Sequence, residues 1–172
     1  MLTDHRKGAA KQLACAVITV SDTRTKETDK SGKKIISLLT EQGHYLSFYD
    51  IIPDEREHIR TTVEKATDSG KIDAVIVNGG TGISNRDVTI EAMEPLFEKQ
   101  LPGFGELFRH LSFQYDIGTA SILSRAICGV RKHCIIFSIP GSTGAVTLAM
   151  EKIILPEVGH MVQEMHKDCK QK

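Results

Sequence analysis

Ile72-Asp73-Ala74-Val75-Ile76-Val77, running into Asn78-Gly79-Gly80-Thr81-Gly82-Ile83-Ser84-Asn85-Arg86-Asp87-Val88-Thr89, decides how this chain folds. The first six residues form a short apolar run rich in β-branched side chains, the pattern of a strand buried on both faces. Val88-Thr89-Ile90-Glu91-Ala92-Met93-Glu94 then places apolar residues at helical spacing with acids on the outer side. A glycine-rich turn between a buried strand and a helix lies at the carboxyl edge of a sheet, where open α/β sheets bind ligands. Its glycines let the backbone approach a phosphate and turn N–H groups toward it. Asp87 stands where a helix N-cap would be. The loop follows neither G-x-G-x-x-G nor the Gly-Lys-Ser/Thr pattern, so a tight βα turn and a phosphate cradle both remain open.

Outward from this unit the chain alternates strand and helix. Residues 13–20 read as a first interior strand, and residues 1–12 as a polar arm. Thr28 or Asp29 caps a helix whose inner face carries Ile35, Ile36, Leu38 and Leu39, stopped by Gly43. Residues 45–52 read as a strand nearer an edge, ending at Pro53, and Asp54 opens a helix with Ile59, Val63 and Ala66 inward. Pro95 should end or bend the helix after Asp87, and Pro102 should start another reaching about Tyr115. Residues 122–127 read as a short helix and 130–133 as a turn, before a buried strand at 134–139 and a second loop, Pro140-Gly141-Ser142-Thr143-Gly144. A helix with Ala145, Leu148, Ala149 and Ile153 inward follows, then one that Pro156 starts or bends, and a polar tail at 167–172. The pattern predicts one α/β domain over 13–166: a three-layer α/β/α, doubly wound fold around a mostly parallel sheet.

Composition narrows the function. With 172 residues, 40% of them hydrophobic, one domain can bury a full core. Lys+Arg and Asp+Glu balance at 22 each, so no basic field draws nucleic acid or a membrane surface. An anionic ligand must therefore be held by local design. No apolar run reaches membrane-spanning length, and the cysteines show no zinc or redox spacing, which is the pattern of reduced thiols in a cytoplasmic protein.

Each rim loop begins where a strand ends: Ser21-Asp22, Pro53-Asp54, residues 79–87 and residues 140–144. Topology would gather Asp22, Asp54 and Asp87 there. Carboxylates beside a phosphate-cradling backbone suit Mg²⁺ bridged to a triphosphate, since Mg²⁺ prefers hard oxygen ligands. Each Asp fits equally well as a helix N-cap.

The segments Val20-Ser21-Asp22, Ile52-Pro53-Asp54, Gly79 to Thr89, Pro102-Gly103-Phe104-Gly105-Glu106, Leu123-Ser124-Arg125-Ala126 and Pro140-Gly141-Ser142 resemble, in order, the motifs of the MoaB/Mog family of molybdenum cofactor biosynthesis. Ser142-Thr143-Gly144 after the second Pro-Gly looks more like the MoaB branch, because Mog-type members commonly carry a proline there. The resemblance implies a cytoplasmic nucleotidyltransferase that moves AMP from ATP to the terminal phosphate of molybdopterin, with Mg²⁺. It implies Asp54 and Asp87 as catalytic carboxylates and metal ligands. Ser21, Asp22, Gly79, Gly80, Thr81 and Gly82 fall to the nucleotide side, and Ser124, Pro140, Gly141, Ser142 and Thr143 to the molybdopterin side. Family members are trimers or dimers of trimers, and the product passes to a molybdenum-inserting enzyme. A molybdopterin carrier without turnover and a CinA-like nucleotide hydrolase are the alternatives.

Other candidates are plainer. His160 and His166 are six apart and face apart on a helix, so they make no metal pair. Ser142 lacks the Gly-x-Ser-x-Gly setting of a hydrolase nucleophile. Arg125 can meet a phosphate or a neighbouring carboxylate. Phe104, Leu107, Phe108, Leu111 and Phe113 give one helix more apolar surface than a single sheet face covers, which points to burial against a second subunit.

Overall fold

A computed structural model of the chain describes residues 12–167, so nearly all of the expected arm and tail, with Cys169, lie outside the described residues. In chain order the elements are β1 (Ala14–Val20), α1 (Lys30–Glu41), β2 (Tyr45–Ile52), α2 (Arg56–Asp68), β3 (Ala74–Asn78), α3 (Thr89–Met93), β4 (Lys99–Gln100), α4 (Pro102–Tyr115), β5 (Ile127–Arg131), β6 (Cys134–Ile139), α5 (Thr143–Ala149) and α6 (Leu155–Met165). They form one six-stranded sheet in the order β2-β1-β3-β6-β5-β4. β2, β1, β3 and β6 run parallel, while β5 and then β4 pair antiparallel at one edge.

The sheet separates two cores, as expected of three layers. On one face, Val17, Ile76 and Phe137 pack with Ile35 and Leu39 of α1, Phe108 of α4, Val146 of α5 and Val158 of α6. On the other, Ile18, Val75 and Ile136 pack with Ile59 and Val63 of α2 and Met93 of α3. Alternate residues of β1 and β3 thus serve opposite layers, so every residue of both strands is buried.

Several expected boundaries hold. Asp29 caps α1 by accepting the Gly32 N–H at 3.0 Å, and Gly43 (φ 84°) takes the left-handed turn beyond its end. Pro95 ends α3 in a single 3-10 turn over Glu94–Leu96. Other expectations are corrected. Asp54 does not open α2, whose N-cap is Glu55. Asp87 does not cap α3: Val88 occupies that position, and its N–H donates across the loops to Asp54 Oδ1 at 3.4 Å. The short helix expected at 122–127 is a 3-10 segment over Gly118–Leu123, and Ile127 already belongs to β5. The turn expected at 130–133 narrows to Lys132 (φ 46°) and His133 (φ 61°), the two left-handed residues of a tight β5–β6 hairpin.

α5 and α6 are joined by a wider π turn over Met150–Ile154. Pro156 follows it in the first turn of α6, and the widened turn relieves the clash its ring would make in a regular helix.

Candidate functional site

The carboxyl ends of β1, β3 and β6 bring three loops together. Gly79 leaves β3 with φ 106°, and its N–H donates to Ile139 O of β6 at 3.0 Å. A Cβ there would lie 2.3 Å from Val20 O of β1, so only glycine fits between the strands. The second loop closes on the first: a Cβ on Gly141 would lie 3.2 Å from Gly79 Cα. Beside this seam is a cavity of about 380 Å³ lined by Gly80, Thr81, Gly82, Asp87, Ser124, Pro140 and Gly141, with Ile117, Ala120 and Leu123 as its apolar wall. Residues expected on the nucleotide side and on the molybdopterin side therefore share one cleft.

The remaining expected residues stand around it in defined roles. Ser21 Oγ accepts the N–H groups of Thr23 and Arg24 at 3.2 and 3.1 Å, which fixes the turn after β1. Ser142 caps α5 by accepting the Ala145 N–H at 3.3 Å, and Thr143 is its exposed first residue. Asp22 Oδ1 accepts the Asp54 N–H at 3.1 Å, while its Oδ2 pairs with Arg86 at 2.5 Å. That guanidinium holds the Asp22 carboxyl below the usual range. Asp87 Oδ2 accepts the Ser84 N–H at 3.0 Å within its own loop. Asp54 behaves oppositely to Asp22. Burial raises its pKa, and the charges of Asp87 and Asp22 add to the effect against the pull of the Val88 N–H. Asp54 thus senses the other two carboxylates across the rim.

Among the described residues no three His, Cys, Asp or Glu side chains form a ready-made metal cage. The donor set suits a cation that brings other oxygens with it, as Mg²⁺ does on a nucleotide. Gly80 bears on this. At φ 63°, a Cβ on it would lie 2.2 Å from Thr89 Oγ1 and 2.9 Å from both carboxylate oxygens of Asp54. Its missing side chain therefore makes room for Asp54 as well as permitting the loop's backbone conformation.

Arg125 resolves in favour of the carboxylate. It is ion-paired with Glu91, and its Nε and Nη2 donate to Thr81 O and Asp87 O, each at 3.1 Å. The guanidinium ties both ends of the glycine loop together. Beyond that pair lies a second cavity of about 540 Å³, lined in part by Glu91, Glu106, Arg109 and Arg125, and Ser124 borders both cavities.

A buried polar network beneath the loops was not anticipated. Asp29 Oδ2 accepts from Thr19 Oγ1 at 2.6 Å and from Tyr49 OH at 2.8 Å. Ser31 Oγ bridges toward Asn78 Oδ1 at 2.9 Å, and Asn78 Nδ2 donates to Thr19 Oγ1 at 2.9 Å. Arg24 sits 3.6 Å from Asp29 and donates to Gly141 O at 2.9 Å. Burial alone would raise the Asp29 pKa, but hydrogen bonds from Thr19, Gly32, Tyr49 and Ser31 outweigh it and keep the group ionised. The network locks β1, β2, β3 and α1 to the second loop. Its traces in the sequence are polar residues closing apolar strands, Thr19 and Asn78.

Comparison with known proteins agrees with the geometry. Residues 16–160 match the family model described as "Probable molybdopterin binding domain". Molybdenum cofactor biosynthesis protein B of Bacillus subtilis (strain 168) is 55% identical over 165 residues, covering 96% of this chain and 97% of that protein. A crystal structure of a molybdenum cofactor biosynthesis protein B superposes with TM-score 0.89 at 51% identity, over 91% of this chain and 97% of that one. The tungsten cofactor synthesizing protein MoaB from Pyrococcus furiosus gives TM-score 0.82 at 38% identity, over 92% and 100%. The matched stretch takes in every rim loop from Ser21 to Thr143, and the chain belongs to the MoaB/Mog family of molybdenum cofactor biosynthesis proteins, in its B branch.

Proposed function

We propose that this protein adenylylates molybdopterin. The observation that carries the reading is the seam at Gly79 and Gly141, where a glycine-cradled loop and a second Pro-Gly loop share one cleft with Asp54 and Asp87 at its side. ATP lies against residues 79–82 and Ser21-Asp22, where backbone N–H groups take up its phosphates. The pterin phosphate lies against Ser124 and residues 140–143. A terminal oxygen of that phosphate attacks the α-phosphorus of ATP, a new P–O bond forms, and the bond to the bridging β-oxygen breaks. Pyrophosphate leaves with the electron pair. Mg²⁺, when bound, supplies charge neutralisation at the triphosphate. Asp54 and Asp87 would hold it, and the fixed loops align attacking oxygen and phosphorus. The adenylylated pterin would pass to a molybdenum-inserting enzyme in the cytoplasm; among the described residues no helix is long and apolar enough to cross a membrane.

Incubation of the purified protein with ATP, Mg²⁺ and molybdopterin tests this. Pyrophosphate release that requires the pterin is expected. Tight pterin binding without release would make the protein a carrier, and nucleotide consumption without pterin would make it a hydrolase.

The same reading includes a trimer, or a hexamer of two trimers. α4 buries Phe104 and Phe108 against Phe137 and its neighbours, whereas Leu107, Phe113, Tyr115, Ile117, Ile122 and Leu123 remain exposed in the single chain, Ile122 at 82%. Covering such side chains is worth about 2 kcal/mol each. Light scattering at micromolar protein should give three or six times 19.0 kDa. A stable monomer would show that this surface stays in water.

A further inference from the structure

Thr89 is fully buried, and its hydroxyl has no hydrogen-bond partner. Its backbone N–H donates to Gly80 O at 3.1 Å, which clips the start of α3 to the glycine loop. Its side chain points to the same place. Measured from the Cβ position that Gly80 leaves vacant, Thr89 Oγ1 is 2.2 Å away and each Asp54 carboxylate oxygen 2.9 Å, so hydroxyl and carboxylate are within about 5 Å of each other. Asp54 is otherwise held by the long 3.4 Å bond from the Val88 N–H. A buried hydroxyl without a partner costs stability that a valine of the same shape would not. The hydroxyl therefore has no partner in the ligand-free packing, yet it faces Asp54, whose carboxyl burial pushes toward the neutral form.

We propose that Thr89 is a positioning residue for Asp54: when a divalent cation and nucleotide enter the cleft, its hydroxyl donates to an Asp54 carboxylate oxygen and fixes the orientation of the group. This rests on the reading that Asp54 holds the cation. The hydroxyl acts from the buried side, leaving the other oxygen of Asp54 free to face the cleft. A charge-assisted hydrogen bond of this kind is stronger than one between neutral groups, so it should show in cation affinity.

The test uses the full chain, with Mn²⁺ as the paramagnetic probe and α,β-methylene-ATP as the nucleotide. Free Mn²⁺ is counted by electron paramagnetic resonance for wild type, Thr89→Val and Thr89→Ser, and melting is recorded for each without ligand. Thr89→Val should weaken Mn²⁺ about tenfold yet melt at or above wild type. Thr89→Ser should bind Mn²⁺ within about twofold of wild type while melting lower, because it loses a buried methyl group. This crossed order, stable but weak against unstable but tight, is what a purely structural threonine would not give. Unchanged Mn²⁺ affinity in Thr89→Val, a lower melting point in that variant, or a wild type that holds no Mn²⁺ with the nucleotide would each overturn the proposal. A wild type that binds Mn²⁺ and nucleotide but releases no pyrophosphate with molybdopterin would instead defeat the transferase reading and leave Thr89 standing.

Discussion

Asp54→Asn should lower pterin-dependent pyrophosphate release by about 10²–10³-fold while leaving the protein at least as stable as wild type. The amide is the same size and keeps an oxygen for the Val88 N–H. What it loses is the negative charge with which, in the proposed reading, it would hold the cation. The stability direction follows from proton linkage. Burial and the neighbouring Asp87 and Asp22 raise the Asp54 pKa, so the folded state binds its proton more tightly than the unfolded chain does. Its stabilising contribution is present below the ordinary value of 3.8 and is lost as pH rises through the raised folded value. At neutral pH the ionised carboxylate is therefore a burden on the fold. Melting of the variant should exceed wild type at pH 7, and the gap should close as pH falls toward the ordinary carboxylate range. Undiminished turnover would remove Asp54 from the chemistry.

Asp29→Ala should produce the largest loss of stability of any single change at the rim. It removes the cap of α1, worth about 1 kcal/mol, and strands the buried groups that converge on the carboxylate. Thr19, Tyr49 and Arg24 would lose their partner together, and breaking a buried charged network of this kind costs about 3–5 kcal/mol. For a domain of this size that lowers the melting temperature by roughly 6–20 °C. Asp29→Asn should lose less, since the amide keeps an oxygen for Gly32. Arg24 also holds Gly141, so surviving Asp29→Ala protein should lose more affinity for molybdopterin than for ATP. A melting shift below about 2 °C in thermal denaturation would show that the network is solvated rather than structural.

β1, β3 and β6 were legible because they are buried on both faces. Runs such as Ala74–Asn78 leave no amphipathic ambiguity, and glycine punctuates the ends of α1 and α2. The antiparallel edge was not. β4 has two residues, too few for any period, and β5 carries Gly129 in its middle. That glycine is a packing requirement rather than a break: a Cβ would lie 2.3 Å from Cγ of the Phe97 ring. Nothing near Gly129 in the sequence announces Phe97. The site divides in the same way. Local spacing located the loops, and it also offered Asp54 and Asp87 as helix caps, because a cap is a local device. The group that serves the start of α3 comes instead from Asp54, 34 residues earlier. Thr19, Asp29 and Asn78 likewise meet only once β1, α1 and β3 are assembled.

The π turn at Met150–Ile154 has a genetic consequence. Carried on at 3.6 residues per turn, the inward phase of Val146, Met150 and Ile153 would next reach Glu157 and Glu164. The single extra residue in the wide turn delays that phase by one position, and Val158 and Val162 are buried in their place. A one-codon deletion between 150 and 154 would restore a regular helix and swing α6 by about 100°, driving glutamates toward Ile135 and Phe137. A single substitution in the same stretch changes one side chain. The reading frame of this helix, counted in whole residues, is thus under tighter constraint than the identity of the residues within it.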